Sequence, residues 1–174
     1  GGSIISPYFI LTAAHCLDEG ERKKTAMFGG FIDFRTDFQK WITVKFTDAK
    51  YYIHPNYNPD TTANDIALIR LSKPLDLTKA SLKSICLPTN TSQLADNQNL
   101  MAIGWGYTEE GAYETSSTLQ QAVVKYISPK TDWCQRALTY PAGQFCAGVP
   151  IGGTGLVLIL FISALTNHLR IHFV

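Results

Sequence analysis

Short apolar segments separated by turn-forming residues run along most of this chain, and they restrict its fold more than any other feature. Residues 3–5 and 9–12 flank the turn signal Ser6-Pro7-Tyr8, and residues 41–46 alternate so that one face is apolar. Further strand candidates lie at 66–71, 100–105 and 121–127. Apolar alternation with period two and closely spaced turn signals are typical of β-strands. The sequence therefore predicts an all-β barrel or sandwich.

One short helix is predicted after the last of these strand candidates. Ser128 is a favourable N-cap, and proline, here Pro129, is favoured at the first helical position. The predicted helix runs from Pro129 to about Leu138, with Asp132 near its positive end. Residues 89–99 are polar and without periodicity, so they are interpreted as a connection between two β halves at about residue 90. A chain of 174 residues accommodates one sizeable domain or two small packed halves.

The charge pattern excludes some classes of partner. The formal net charge is +1, and the longest basic run is Arg22-Lys23-Lys24, which suits a solvated loop. Nucleic-acid binding therefore has no support.

The apolar run at 156–165 is shorter than the roughly 20 residues that span a membrane, and polar residues soon follow it. A membrane partner is therefore disfavoured.

The cysteines bear on the cellular compartment. None of the four forms a CxxC pair or a cluster with zinc-site spacing, and no calcium-loop spacing is present. Asn90 begins a glycosylation sequon, which is meaningful in a secreted protein. These features together favour an oxidising, extracellular setting, although no signal peptide stands at the beginning of the sequence. No metal and no cofactor are expected.

His15 and Asp65 have the clearest catalytic chemistry. Acyl transfer to a hydroxyl needs a base for its proton, a carboxylate that holds the base in one tautomer, and donors for the oxyanion. Imidazole titrates near neutral pH. Asp65 precedes the apolar run 66–69, where a buried carboxylate would need a partner. Taken singly, His15 could be a satisfied core or surface residue, and Asp65 a cap at a strand end.

Two longer motifs surround these residues. The segment LTAAHC at 11–16, after GGSII at 1–5, resembles the catalytic-histidine segment of the trypsin and chymotrypsin family of serine proteases. The segment NDIALIRL at 64–71 resembles the catalytic-aspartate segment of the same family. Further segments in family order are ICLP at 85–88, GWG at 104–106, LQ at 119–120 with Val123, and FCAG at 145–148. The resemblance extends from residue 1 to about residue 153.

This resemblance implies the trypsin-like fold of two antiparallel Greek-key β-barrels. It implies a peptidase domain over 1–155, with the first barrel at about 1–88 and an incomplete second barrel at 100–155, followed by an apolar tail of no family resemblance at 156–174. His15 would be the general base and Asp65 its orienting carboxylate. The family activity would be hydrolysis of peptide bonds through an acyl-enzyme, with protein or peptide substrates and protease inhibitors as partners.

The nucleophile segment of the family has no counterpart in this sequence. Relatives continue into GDSGGP, whereas this chain has VPIGGTG at 149–155 and then LVLI. Ser163 is the one serine after Cys146, and it lacks flanking glycines, so it is a poor candidate nucleophile. The missing segment also carries the oxyanion donors. The sequence therefore predicts a partial chain that is inactive as given. The alternative is a non-catalytic, protease-like binding protein.

The incomplete match to the family also affects the expected cysteine pairing. The resemblance implies a disulfide between Cys134 and Cys146, and it leaves Cys16 and Cys86 without partners in the sequence. The abrupt change to an apolar tail after Gly152 suggests a misread exon boundary or a splice variant. The expectation is thus a secreted, trypsin-like serine endopeptidase by family, with an incomplete catalytic apparatus.

Overall fold

β-Strands dominate the computed structural model of the chain. The structure describes residues 1–17, 26–37, 42–45, 49–78, 82–87, 94–108, 112–148, 158–160 and 170–173. The strands are β1 (Gly2–Ser6), β2 (Phe9–Thr12), β3 (Ala26–Gly29), β4 (Ile42–Lys45), β5 (Ala49–Ile53), β6 (Ala67–Leu71), β7 (Asn99–Gly104), β8 (Gln120–Ile127), β9 (Phe145–Gly148), β10 (Leu158–Leu160) and β11 (Arg170–Phe173). Within these ranges the only α-helix is α1 (Asp132–Ala137). Each strand predicted from the sequence overlaps one of these elements.

The first sheet holds the two motifs that surround His15 and Asp65. Its strand order is β1-β2-β6-β5, and every neighbouring pair is antiparallel. The hairpin of β1 and β2 turns at Ser6, whose Oγ accepts the N–H groups of Tyr8 (3.3 Å) and Phe9 (3.1 Å). One face packs into a core of buried side chains: Ile10, Ala14, Leu17, Ala67, Ile69 and Leu71. This core fixes how β2 and β6 lie against each other.

The second sheet has the strand order β10-β9-β8-β7-β11. Leu100 and Ala102 of β7 alternate inward and pack with Val124 of β8 and with Phe145 and Ala147 of β9. β9 is buried along its whole length, as expected for an inner strand. A separate two-stranded sheet pairs β3 with β4.

The tail after residue 156 contributes two described strands to this second sheet. β10 pairs with β9 in antiparallel register, and β11 pairs with β7 in parallel register, from Arg170 opposite Met101 to Phe173 opposite Gly104. The two strands therefore occupy opposite edges of the sheet. The sequence pattern predicted no secondary structure for this segment. Ser163, between the two strands, lies outside the described residues, as does Asn90.

The predicted helix begins later than its sequence signals indicated. Ser128 does not cap it: the Ser128 carbonyl accepts the N–H of Thr131 (3.0 Å), and Ser128 Oγ accepts the N–H of Lys130 (3.2 Å). These bonds form a turn, so Thr131 becomes the N-cap and α1 begins at Asp132. The physical reason is that the serine–proline pair suits a turn as well as a helix start.

The implied disulfide is present in the structure. Cys134 of α1 and Cys146 of β9 are bonded, and both are fully buried. Their separation is 12 positions. Closing a loop of about this size stabilises a fold by roughly 3 kcal/mol in the chain-entropy estimate. The bond ties the helix to the inner strand of the second sheet.

Residues 31–35 join the two halves of the molecule. Trp105 Nε1 donates to the Ile32 carbonyl (3.0 Å), and Asp33 pairs as an isolated bridge with Thr118, whose Oγ1 donates to Asp33 Oδ2 (3.0 Å). Arg35 lies 3.1 Å from the Glu114 carboxylate, but both side chains are exposed, so that ion pair contributes little. Residues 89–93 of the predicted connection at 89–99 lie outside the described ranges, and its last residue, Asn99, begins β7.

Candidate active site

His15 stands in a short 3-10 turn, His15–Leu17, that follows the end of β2. The N–H of Leu17 donates to the Ala14 carbonyl at 2.9 Å. Ala14 is fully buried and Leu17 is 6% exposed, so both anchor the turn in the first core. His15 lies between these anchors with its own side chain 53% exposed. The turn thus presents the imidazole at the surface on a fixed backbone.

Asp65 is presented by a constrained loop that ends at β6. Asn58 pairs with Ala63 as an isolated bridge, and Asn58 Oδ1 accepts the N–H of Asp60 at 2.9 Å. Asn64 has φ 56°, in the left-handed region that asparagine tolerates better than most residues. Its Nδ2 donates to the Asn56 carbonyl at 2.9 Å. These contacts bring the chain into β6 with Asp65 directed at His15.

The two residues meet through both oxygens of the carboxylate. Asp65 Oδ2 lies 2.6 Å from His15 Nδ1, and Asp65 Oδ1 accepts the backbone N–H of His15 at 2.8 Å. The Asp65 side chain has no solvent exposure, and a buried carboxylate is tolerated only with such partners. The Oδ2 contact assigns the proton to Nδ1, so Nε2 is the atom that faces outward. This is the base-orienting geometry that acyl-transfer chemistry requires.

Nε2 has a partner that the sequence analysis did not anticipate. The sulfur of Cys16 lies 3.5 Å from His15 Nε2. Cys16 is a free, half-buried cysteine in this structure. Among the described residues, the side-chain partners of His15 are Asp65 and Cys16. The residue order His-Cys is visible in the sequence, but adjacent side chains in an extended segment point apart, and only the 3-10 turn brings these two together.

These contacts shift the pKa values of both residues. The hydrogen bond with Asp65, and then that with Cys16, raise the pKa of His15 to about 10, against the opposing effect of burial. The hydrogen bond with His15 lowers the pKa of the Cys16 thiol to about 7. At neutral pH the imidazole is therefore protonated, and an imidazolium cannot accept a further proton. A base function of His15 would therefore need a lower pKa than this; the contact with Asp65 is the largest cause of the elevation and the contact with Cys16 is the next.

A second polar contact supports the site from the other half of the molecule. Gln144, which is 4% exposed, donates from Nε2 to Thr62 Oγ1 (3.3 Å) and accepts the N–H of Tyr140 at Oε1 (2.8 Å). Thr139 Oγ1 donates to the Thr61 carbonyl at 2.6 Å. These bonds connect the loop before β9 to the loop before Asp65. Sequence reasoning missed Gln144, since nothing in its neighbourhood distinguishes a buried glutamine from an exposed one.

A cleft of about 720 Å³ lies between the halves at this junction. Its lining includes Asn64 and Asp65 from the first half, and Tyr126, Lys130 and Gln144 from the second. Within the described ranges, no three His, Cys, Asp or Glu side chains group closely enough to hold a metal ion. The part of the chain that the structure describes contains no helix with the length and apolar character needed to cross a membrane.

His54, the other histidine of the described first half, lines the same cleft but is not a side-chain partner of His15. It lies in the turn before the Asp65 loop, and its Nδ1 accepts the N–H of Asn56 at 3.1 Å. The structure therefore brings together the two residues that the sequence analysis singled out, and it adds Cys16 beside them.

Comparisons with known proteins concern the family and the fold of the chain. The family model described as Trypsin matches residues 1–156. A trypsin from Phaedon cochleariae is 36% identical over 159 residues, which cover 88% of this chain and 58% of that protein. Coagulation factor XII from Sus scrofa is 34% identical over 166 residues, which cover 88% of this chain and 26% of that protein.

The solved structure of neuropsin, a serine protease expressed in the limbic system of mouse brain, superposes with a TM-score of 0.69. It is 29% identical, with 88% of this chain and 65% of that one covered. The chain therefore belongs to the trypsin family of serine proteases, and the all-β, trypsin-like fold class is confirmed. The chain spans less than two thirds of the length of these relatives.

Proposed function

We propose that residues 1–155 are the peptidase domain of a secreted, trypsin-like serine endopeptidase, with His15 as general base and Asp65 as its orienting carboxylate. The first barrel is assigned to about 1–88 and the partial second barrel to 100–155. The observation that carries the proposal is the 2.6 Å contact between Asp65 Oδ2 and His15 Nδ1, made by a carboxylate with no solvent exposure beside a half-exposed imidazole. Membership of the trypsin family supports it.

The chemistry of this pair follows from its geometry. With Nδ1–H held by Asp65, a neutral imidazole presents the Nε2 lone pair to a hydroxyl nucleophile. Nε2 takes the hydroxyl proton as the oxygen attacks a peptide carbonyl, and it returns that proton to the leaving amine. Asp65 remains ionised and stabilises the imidazolium that forms between the two steps. Peptide-bond hydrolysis through an acyl-enzyme is the reaction that this arrangement serves.

We further propose that the 174-residue chain does not turn over peptides by itself. In the described residues, the atom beside Nε2 is the sulfur of Cys16 rather than a hydroxyl oxygen. Removal of the nucleophile from a serine protease lowers kcat by about 10⁶-fold. Ser163 lies outside the described residues, and its sequence context carries no nucleophile motif.

Protein or peptide substrates and protease inhibitors are the proposed partners, without a cofactor or a metal ion. Secretion is supported by the Cys134–Cys146 disulfide, since such bonds persist in oxidising compartments. Glycosylation of Asn90 is part of the same proposal.

Two measurements on the purified chain test these statements. Proton NMR should show a strongly deshielded resonance from the His15 Nδ1–H, and Asp65→Asn should abolish it; absence of that resonance in the folded chain would exclude the orienting role. A fluorophosphonate that labels activated serines should leave the chain unmodified. Labelling of Ser163 that disappears in the His15→Ala variant would show that the chain is an active enzyme.

The alternative function, a non-catalytic binding protein, is favoured by the position of Cys16 at Nε2. The two functions differ in what His15 contributes. Binding of a protein partner with unchanged affinity to the His15→Ala and Asp65→Asn variants would support the binding function, whereas a hydrolase needs both residues.

A further inference from the structure

Residues 31–37 of the first half meet residues 112–119 of the second, and the carboxylate of Asp33 lies at their junction. Asp33 Oδ2 accepts the hydroxyls of Thr118 (3.0 Å) and Ser117 (3.5 Å). Asp33 also pairs with Thr118 as an isolated backbone bridge. We call this junction the Asp33 clasp. The proposed peptidase chemistry does not use it.

The same carboxylate fixes the turn on its own segment. Asp33 Oδ1 accepts the backbone N–H groups of Arg35 (2.7 Å) and Thr36 (3.3 Å). A second carboxylate, that of Asp37, accepts the N–H groups of Ile32 and Asp33, each at 3.2 Å. An ionised carboxylate acts as an acceptor only, and its hydrogen bonds are stronger than those of a neutral acceptor. Protonation of Asp33 would therefore weaken the contacts on both sides of the junction.

We propose that the Asp33 clasp is an acid-released device: protonation of Asp33 frees residues 112–119 from residues 31–37, while the rest of the fold stays closed. The device goes beyond the peptidase function, because it needs neither a nucleophile nor a substrate. Asp33 is half-buried, so protons from the solvent reach its carboxylate without unfolding of the chain.

The hydrogen bonds to Asp33 set the direction of the response. The bond from the Arg35 N–H is the largest cause that lowers the pKa of Asp33 from its ordinary value of 3.8; burial opposes it, and bonds from Thr118, Thr36 and Ser117 add to it. Because the pKa is lowered, the contribution of Asp33 is present above pH 3.8 and is lost as the pH falls through the lower value of the folded chain.

The other charged side chains on the described parts of the two segments are Arg35, Asp37 and Glu114. Arg35 and Glu114 form an exposed ion pair at 3.1 Å, which contributes little. Protonation of Asp37 would weaken the turn of residues 31–37 in the same direction as protonation of Asp33. The neighbouring charges therefore do not oppose the release.

The contacts of Gln144 between the halves do not depend on a carboxylate. The Gln144 amide bonds to Thr62 Oγ1 and to the N–H of Tyr140, and the Thr139 hydroxyl donates to the Thr61 carbonyl. Neutral amides and hydroxyls keep their hydrogen-bonding groups in acid. Acid should therefore open the Asp33 clasp and leave this second link closed.

Trp105 reports on the clasp from within it. Its Nε1 donates to the Ile32 carbonyl (3.0 Å), and its ring centroid lies 5.1 Å from that of Phe31. The chain has three tryptophans, so Trp41→Phe combined with Trp133→Phe leaves Trp105 as the one indole fluorophore. Its emission should shift to longer wavelength with a midpoint below pH 3.8, while the far-UV circular dichroism does not change.

Two variants separate Asp33 from other acid effects. In the same background, Asp33→Ala should show the long-wavelength emission of Trp105 already at pH 7, without an acid midpoint. Glu114→Gln is the matched control and should keep the midpoint of the parent chain, because its ion pair contributes little. An emission that acid leaves unchanged in the parent chain would overturn the proposal, as would an equal midpoint in the Asp33→Ala variant.

Amide hydrogen exchange gives a second measurement that needs no variant, which keeps the test decisive if Asp33→Ala does not fold. The N–H groups of Phe34 and Leu119 bond across the clasp, to the carbonyls of Ser117 and Ile32. Both should lose protection below pH 3.8, whereas the Tyr140 N–H at Gln144 should keep it. Equal loss at all three amides would show general unfolding and would overturn the proposal, as would full protection of Phe34 and Leu119.

Discussion

The side-chain amide of Gln144 lies 3.3 Å from Thr62 Oγ1 and links the loop before β9 to the loop that ends at Asp65. Gln144 is 4% exposed, so its amide has little water to replace lost protein partners. The link joins the two halves of the molecule at the back of the candidate active site.

Replacement of Gln144 by alanine should lower the free energy of unfolding by about 1–3 kcal/mol, because it leaves the Tyr140 N–H without its acceptor. Urea denaturation measures the change. Gln120→Ala is the matched control: that glutamine makes exposed contacts, and its loss should cost no more than about 0.5 kcal/mol. Equal costs for the two variants would show that the buried amide does not hold the halves together.

Asn64 should tolerate glycine better than alanine. Its φ of 56° lies in the left-handed region, where a residue with a Cβ incurs about 1–2 kcal/mol and glycine does not. Both variants lose the bond to the Asn56 carbonyl, so the difference between their unfolding free energies isolates the backbone conformation. If alanine proves as stable as glycine, the loop does not depend on that conformation.

Substitution of Cys16 by serine should lower the pKa of His15 from about 10, because a neutral hydroxyl replaces the sulfur whose hydrogen bond and charge help to raise it. The pKa should remain above 6.5, since the contact with Asp65 is the largest cause and persists. An NMR titration of the imidazole nitrogens measures both statements. Cys86→Ser should leave the titration unchanged, and a His15 pKa that does not fall in the Cys16→Ser variant would contradict the assigned cause.

The pH dependence of stability should reflect two opposite contributions. The pKa of His15 is raised from 6.5 to about 10, so its contribution is fully present below pH 6.5 and is lost as the pH rises through 10. The pKa of Cys16 is lowered from 9.0 to about 7, so its contribution is present above pH 9 and is lost as the pH falls through 7.

The two slopes offset each other between pH 7 and pH 9. The Cys16→Ser variant should therefore lose stability as the pH rises from 6.5 to its own, lowered His15 pKa, while the unmodified chain changes less between pH 7 and pH 9. Thermal unfolding at a series of pH values provides the comparison. Parallel curves for the two chains would rule out the coupling between the residues.

The main elements and the central pair of the site were predictable from the sequence, for identifiable reasons. Alternation and turn residues fix strands such as β2 and β6, and the segments around His15 and Asp65 are long enough to be specific. The contact between Cys16 and His15 was not predictable, because it depends on the 3-10 turn that follows β2. The start of α1 was misjudged, since Ser128-Pro129 satisfies the local rules for a turn as well as for a helix.

The strands in the apolar segment after residue 156 were not predictable either, for a different reason. A continuous apolar run does not distinguish a buried strand from a buried helix, and it carries no alternation from which a register could be derived. The pairing of β10 with β9 and of β11 with β7 therefore depends on tertiary contacts that the sequence pattern does not display.

Because the His15–Asp65 contact depends on the register of β2 against β6, its formation reports on when these strands pair during folding. Thr12 pairs with Ala67, which sets His15 shortly after the paired position and Asp65 shortly before it. A slip of one residue would turn the side chains of one strand to the opposite face and break the contact. The β1–β2 hairpin is local and should form early, whereas the β2–β6 pairing joins distant parts of the chain and should form late. The deshielded His15 proton should accordingly appear only in the last phase of refolding, as a signal that the sheet has closed in its native alignment.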